Sequence, residues 1–238
     1  MEIADGIEII DLGLYLKNEK ILVLADFHIG YEEALAKQGY LIPRFQFKDF
    51  SERLESIFKK AKPEIIIING DIKHEFGEIS EQEWRETLKL IDYLSKKCKR
   101  LILVRGNHDT ILGPIAKKRN IETAAEYSTD GILIIHGHKI PRLAPKTRTI
   151  IIGHEHPCVS LKEGPKIEKY KCFLKGKFKN RTLLVLPSFN LVTEGTDVMQ
   201  EKLLSPFLSQ NLDNFEVYVV ADKIYYFGKL KNLIIFSS

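Results

Sequence analysis

Apolar residues fall along this chain of 238 residues in two rhythms. Short continuous runs, ILVLA (21–25), EIIIING (64–70) and RLILVRG (100–106), have the length and β-branched content of strands buried on both faces. Between the first two, Phe47, Phe50, Leu54, Ile57 and Phe58 recur at helical spacing. They predict a helix over Phe47–Lys60, ended by Lys62-Pro63. Tyr31–Lys37 and Glu81–Lys97 read as further helices. Upstream, Ile7–Leu16 reads as one strand, joined by the polar turn KNEK to the strand Ile21–Ala25.

This βαβαβ rhythm favours a parallel sheet covered by helices. The second half is richer in strands: GILIIHG (131–137), TIIIGHE (149–155), RTLLVLPS (181–188), FEVYVVA (215–221) and KIYYFG (223–228). A second sheet packed on the first accommodates them. The expected fold is therefore α/β, a sandwich of two mixed β-sheets flanked by helices. With no internal repeat, low-complexity stretch or Pro/Gly/Ser linker, residues 1–238 are expected to form a single domain.

Polar residues punctuate these runs in a particular way. All seven histidines lie in short polar clusters just beyond an apolar run: ADFH (His28), GDIKH (His74), GNHD (His108), IIHGH (His136, His138) and IIGHEH (His154, His156). Turn chemistry explains Gly and Asn at strand ends but not the collection of every imidazole there, whereas metal binding does. In open α/β sheets, sites assemble at the carboxyl ends of strands. Asp26, His28, Asp71 and Asn107 can thus converge across about eighty residues of chain. Two nearby divalent cations need a bridging carboxylate, neutral imidazoles and oxygen ligands, which this set offers. A mixed oxygen and nitrogen shell without thiolates suits two catalytic ions, manganese first, with iron, zinc or nickel as alternatives.

Composition adds little. A net formal charge of +4 permits a polyanionic partner without requiring one. The three cysteines, Cys98, Cys158 and Cys172, are odd in number and contain no CxxC, which argues against a disulfide framework. The amino terminus MEIADGIEII lacks a basic signal-peptide region, and no apolar run approaches the roughly 20 residues that cross a bilayer. A cytoplasmic protein without membrane attachment is expected, and its oligomeric state is open.

The ordered set D-x-H, GD-x-x-H, GNHD, HGH and GHEH, running from about Ala25 to Pro157, resembles the calcineurin-like metallophosphoesterase superfamily. The resemblance implies that Asp26, His28, Asp71 and His156 hold one metal. Asp71 as the bridge, with Asn107, His136 and His154, would hold the other. His108 would stay off the metals and face the scissile phosphate, with Asp109 orienting its ring. The two cations would lower the pKa of the attacking water and neutralise the nonbridging oxygens.

His136 ends its apolar run and is preferred over His138 as the ligand, leaving His138 behind a ligand or facing the phosphate. Arg105 would add a guanidinium near the phosphate; the alternative is an arginine in a surface ion pair. In GDIKH, His74 follows Asp71 as in the SbcD-like nucleases of double-strand-break repair, where such a histidine positions the phosphodiester; otherwise it is a loop histidine in solvent. ADFHIGYEEALAKQGYLIP, GDIKHEFG, IIHGHKIP, IIGHEHP and LPSFN together resemble the small SbcD-related phosphoesterases, archaeal or associated with DNA ligase and helicase genes. ATP-coupled processing of long duplexes is not expected from a chain of this length.

Lys162 to Arg181 carries eight basic residues (Lys162, Lys166, Lys169, Lys171, Lys175, Lys177, Lys179, Arg181). They form either a phosphate-backbone track or a solvated hairpin face. Cys158 reads as a packed core thiol. The functional expectation is a two-metal phosphodiesterase acting on nucleic acid or a nucleotide phosphodiester, a nuclease with DNA-repair proteins as partners. The alternatives are a phosphatase or small cyclic-nucleotide phosphodiesterase, and a non-catalytic scaffold.

Overall fold

The computed structural model describes residues 1–40, 46–74, 80–109, 112–163 and 166–233. Among them the first sheet takes its strands in chain order: β1 (Glu2–Ala4), β2 (Ile7–Ile10), β3 (Gly13–Leu16), β4 (Ile21–Leu24), β5 (Ile65–Asn69), β6 (Arg100–Val104) and β7 (Glu122–Ala124). The first four are antiparallel and β4 to β7 are parallel. Parallel neighbours need long crossovers. These are supplied by α1 (Tyr31–Lys37) and α2 (Gln46–Lys60), α3 (Glu81–Ser95) and α4 (Leu112–Arg119). Ser80 starts α3 by accepting the amide of Glu83 at 3.1 Å.

The second sheet contains β8 (Tyr127–Thr129), β9 (Ile132–Ile135), β10 (Thr149–Ile152), β11 (Pro157–Glu163), β12 (Lys166–Phe178), β13 (Arg181–Val185) and β14 (Thr196–Asp197), with β15 (Glu216–Val220) and β16 (Ile224–Lys229) attached through β12. Its centre, β9, β10 and β13, is parallel. A short α5 (Leu230–Leu233) follows β16.

Burial explains the unbroken apolar runs. Along β9, β10 and β13, Ile134, Ile151 and Leu184 join one core with Val23, Ile67 and Ile102 of the first sheet, and with Leu54 of α2 and Ile91 of α3. The alternating Leu133, Ile135, Ile150, Ile152, Leu183 and Val185 face a second core with Phe207, Phe215 and Leu230. With an apolar neighbour on each side, neither face of these strands tolerates a polar residue. The expected sandwich of two mixed sheets is therefore what the chain forms.

Ile7–Leu16 differs from its expectation as one strand: it is the hairpin β2–β3, reversing at Asp11 and Leu12. Leu12 is fully buried, so hydropathy continues through the turn and hides it. Asp11 takes the left-handed conformation, φ 57°, which Asp tolerates better than most residues.

The basic stretch forms the β11–β12 hairpin. Three of its eight basic residues have acidic partners: Lys169 lies 2.6 Å from Glu201, Lys175 lies 3.3 Å from Glu216, and Lys166 pairs with Glu168. Lys171 is buried. Cys158 and Cys172 are buried free thiols, and burial pushes Cys158 up to about 12. No described helix is long and apolar enough to cross a membrane.

Truncating Ile151→Ala, between the sheets, is expected to cost about 2–5 kcal/mol. Tyr226→Ala, at a position 54% exposed, should cost far less. Urea unfolding midpoints of the two variants check this, and equal losses would contradict the inter-sheet core.

Candidate metal centre

The parallel strands of both sheets end on one rim. Asp26 and His28 follow β4, Asp71 follows β5, and Asn107 and His108 follow β6. His136 follows β9, and His154 and His156 follow β10. Five of these residues have left-handed backbones: Asp26 (φ 56°), His28 (46°), Asp71 (44°), His154 (66°) and His156 (51°). Such conformations cost free energy at non-glycine residues and concentrate where geometry is functional. Here the chain turns abruptly off each strand while its side chains stay on the rim. Two glycines allow the close approach: a Cβ on Gly106 would lie 2.0 Å from Asp71 Oδ1, and one on Gly153 would lie 2.4 Å from Asp26 Oδ2.

The side chains gather in two adjoining constellations, Asp26 with His28 and His156, and Asp71 with His136 and His154, each with ligand atoms within 4.8 Å of one another. His28 Nε2 is 3.2 Å from His156 Nε2, and His154 Nδ1 is 3.1 Å from His136 Nε2. Asp71 Oδ2 stands between them, 3.3 Å from His136 Nε2 and 3.8 Å from His28 Nε2. Asn107 Oδ1 lies 2.9 Å from His136 Nε2. Backbone amides hold the carboxylates: His154 donates to Asp26 Oδ2 and His108 to Asp71 Oδ1, both at 2.9 Å.

Electrostatics separate the imidazoles. Burial pulls His136 down, but its bond to Asp71 and the charges of Asp26 and Asp71 outweigh this and raise it to about 9. Burial and the His136 charge lower His154 to about 4, and burial with the neighbouring His156 holds His28 well below its ordinary range. Burial opposes ionisation of Asp71, yet His136, His28 and the His108 amide keep it ionised.

The catalytic and substrate residues expected from sequence are distributed unevenly. His108 and His74 lie beside the first constellation, their rings stacked at 5.8 Å, and His28, His74 and His108 form a third group of converging imidazoles. With Tyr31, His156, Asn190 and Thr193 they line a depression of about 160 Å³. Arg105 is exposed and does not line it. His138 sits behind, its ring centroid 5.3 Å from that of His136.

Asp109 does not orient the His108 ring. Its carboxylate accepts the amides of Gly106 at 2.9 Å and Ile72 at 3.2 Å, tying the loop after β6 to the loop after β5. The ring is oriented by the His74 carbonyl, 2.6 Å from His108 Nδ1. Burial and the nearby Asp71 charge raise Asp109 to about 7, which suits an inward anchor.

Sequence reasoning assigned no role to several residues that shape the rim. Glu83 is buried and accepts the His74 amide at 2.9 Å. Asn190 is buried and donates to the Phe27 carbonyl at 3.3 Å while accepting the Val192 amide at 2.8 Å. In sequence, Ser80 and Glu83 match the S-x-x-E capping-box pattern, which marks a helix start and not this role, and LPSFN contains the second.

Divalent cations fit this donor set. Asp26 Oδ1 is buried with no hydrogen-bond partner among the described residues. Each close pair of imidazole nitrogens shares at most one proton when both rings are neutral, so lone pairs are left pointing inward. Asp26, His28, His156 and Asp71 would hold one ion, and Asp71, Asn107, His136 and His154 the other.

A model of the calcineurin-like phosphoesterases matches residues 19–221. The chain belongs to that family. It is a metal-dependent phosphoester hydrolase, and the matched segment contains every strand end just described. Among solved structures, the nuclease MPE of Pseudomonas putida shares 20% identity over 91% of each chain with a TM-score of 0.60, a likeness of fold. The phosphoesterase YfcE of E. coli is 13% identical over 85% of this chain and 88% of its own, with a TM-score of 0.38. A Vps29 double mutant from Entamoeba histolytica is 13% identical over 87% and 98%, with a TM-score of 0.37. No curated protein matches the sequence.

Metal uptake by this phosphoesterase should release about one proton at neutral pH. His136 is raised above its ordinary value, so its ring is protonated below about 9 and must lose that proton to a metal. His28 and His154 are lowered and already neutral. Apparent affinity should rise about tenfold per pH unit towards that value and level off above it. Calorimetry in two buffers of different ionisation enthalpy measures the proton count, and a count of zero would contradict the pairing of His136 with Asp71.

Proposed function

We propose that this phosphoesterase is a nuclease of the SbcD-related type, hydrolysing phosphodiester bonds of nucleic acid with two divalent cations, manganese first. The observation that carries the reading is the placement of His108. Its Nδ1 donates to the His74 carbonyl, which fixes the tautomer, and its Nε2 stands 3.9 Å from Asp71 Oδ2, at the edge of the metal constellations. A proton on that Nε2 is placed to go to the departing oxygen of a diester. His74, stacked beside it, faces the same depression and would hold a nonbridging oxygen. Bound cations would supply an activated water and neutralise phosphate charge.

Two further features support a nucleic-acid substrate. GDIKH resembles the corresponding motif of repair nucleases, and a nuclease shares the fold. The free cysteines suit a reducing cytoplasm, where DNA-repair proteins would be its partners.

The paired lysines of the β11–β12 hairpin favour a second reading. With Lys166, Lys169 and Lys175 matched to Glu168, Glu201 and Glu216, and Lys171 buried, half of the eight basic residues are withdrawn from a backbone track, which suits a small phosphodiester.

Hydrolysis of bis-p-nitrophenyl phosphate and of labelled single-stranded and duplex DNA, with manganese present, separates the readings. Both activities are expected in the wild type, with His108→Ala lowering kcat by about 10²–10⁴-fold and Asp71→Ala abolishing it. Diester hydrolysis without DNA cleavage would favour the small substrate. Full activity in Asp71→Ala would overturn the mechanism.

A further inference from the structure

Between the two histidines of GHEH lies Glu155, which the chemistry above does not use and which is fully buried. Its Oε2 accepts two backbone amides from a distant segment, Leu204 at 2.9 Å and Ser205 at 2.7 Å. Ser205, 1% exposed, donates its hydroxyl to the Gly137 carbonyl at 2.9 Å. Gly137 is the residue between His136 and His138. The chain of contacts therefore runs from the loop after β10, through residues 204–205, to the loop after β9.

These two loops present His136, His154 and His156. They are also joined directly, through the Gly153 amide donating to the His136 carbonyl at 2.9 Å. The loop after β10 is further held by the Glu155 amide donating to the Gly153 carbonyl at 2.8 Å, the His154 amide to Asp26 Oδ2 at 2.9 Å and the Thr196 amide to the His156 carbonyl at 3.0 Å, but none of these reaches Gly137 in the loop after β9. Both turns are left-handed, with φ 112° at Gly137, 66° at His154 and 51° at His156, so their conformations need external support. A buried carboxylate taking two amides gives such support, because charge-assisted bonds are about twice as strong as neutral ones.

We propose that Glu155 and Ser205 form a buried clamp that sets the spacing of the His136 and His154 imidazoles and so determines how tightly the second constellation holds its metal. Both are positioning residues: neither touches the ion or the substrate, and each acts through the backbone of a ligand loop. The inference rests on the reading of His136 and His154 as ligands, but not on any choice of substrate.

The test is manganese binding to Ser205→Ala and Glu155→Gln, by calorimetry and by metal analysis after equilibrium dialysis. Supporting contacts behind ligands are typically worth about 10–100-fold in affinity. One of the two manganese equilibria is expected to loosen by about tenfold or more while the other is unchanged, and kcat for bis-p-nitrophenyl phosphate should return towards wild type when manganese is raised in proportion. Leu230→Ala, in the second core, serves as the control. It should lower the melting temperature of the metal-free protein at least as much while leaving manganese affinity unchanged. Melting temperatures that fall in Ser205→Ala and Glu155→Gln with unaltered manganese affinity would overturn the clamp and leave it as an anchor of the fold. If the wild type took up no manganese while remaining folded, the ligand reading itself would fall, and the clamp with it.

Discussion

Asp71 is a carboxylate with only 2% of its surface exposed, and the surrounding structure is organised to offset its charge. An isolated buried carboxylate would protonate or destabilise the fold. Instead it receives the His108 amide, lies against His136, and has His28 within reach of the same oxygen. These partners come from the ends of β4, β6 and β9. Compensating one charge therefore requires that two sheets present their carboxyl ends at the same rim.

The demand propagates outward. Parallel strands put every carboxyl end on one side, and the helices that reconnect them cover the outer face of the first sheet. Alternation along β9, β10 and β13 then buries one set of aliphatic side chains against the first sheet and the other against the second core. Rigidity at the rim is bought with strain: left-handed backbones at five candidate ligands, and glycines where a methyl group would meet a carboxylate. Buried polar anchors, Asp109, Glu83, Asn190 and Glu155, hold those strained turns by their amides and carbonyls. Of these only Asn190 also lines the depression beside His74 and His108, and all four act on the backbone that sets where the imidazoles stand.

Much of this was legible because it was local. Aliphatic runs of fixed length gave the strands, helical spacing over Phe50, Leu54 and Ile57 gave α2, and histidines confined to strand ends gave the candidate ligands. Where local pattern was silent, the reading failed or was incomplete. The reversal at Asp11 was hidden because Leu12 stays apolar and buried in the turn. The ring-orienting role that the resemblance implied for Asp109 falls to the His74 carbonyl, because the left-handed turn after β5 brings the Ile72 amide to the Asp109 carboxylate. The basic stretch read equally as a charge track or a solvated hairpin face, and Glu201 and Glu216, distant in sequence, meet two of its lysines.

By itself the sequence determined the inventory: which strands are buried on both faces, which residue types stand at their ends, and that no cysteine competes with imidazole and carboxylate for a metal. Those properties depend on side-chain chemistry and on periods of two or a few residues. Tertiary structure alone decided which ends adjoin, that the His74 carbonyl rather than Asp109 orients His108, and that Glu155 reaches Ser205. These depend on strand order, on backbone turns and on contacts across fifty residues or more, as with Glu155 and Ser205, and a linear pattern has no period that records them.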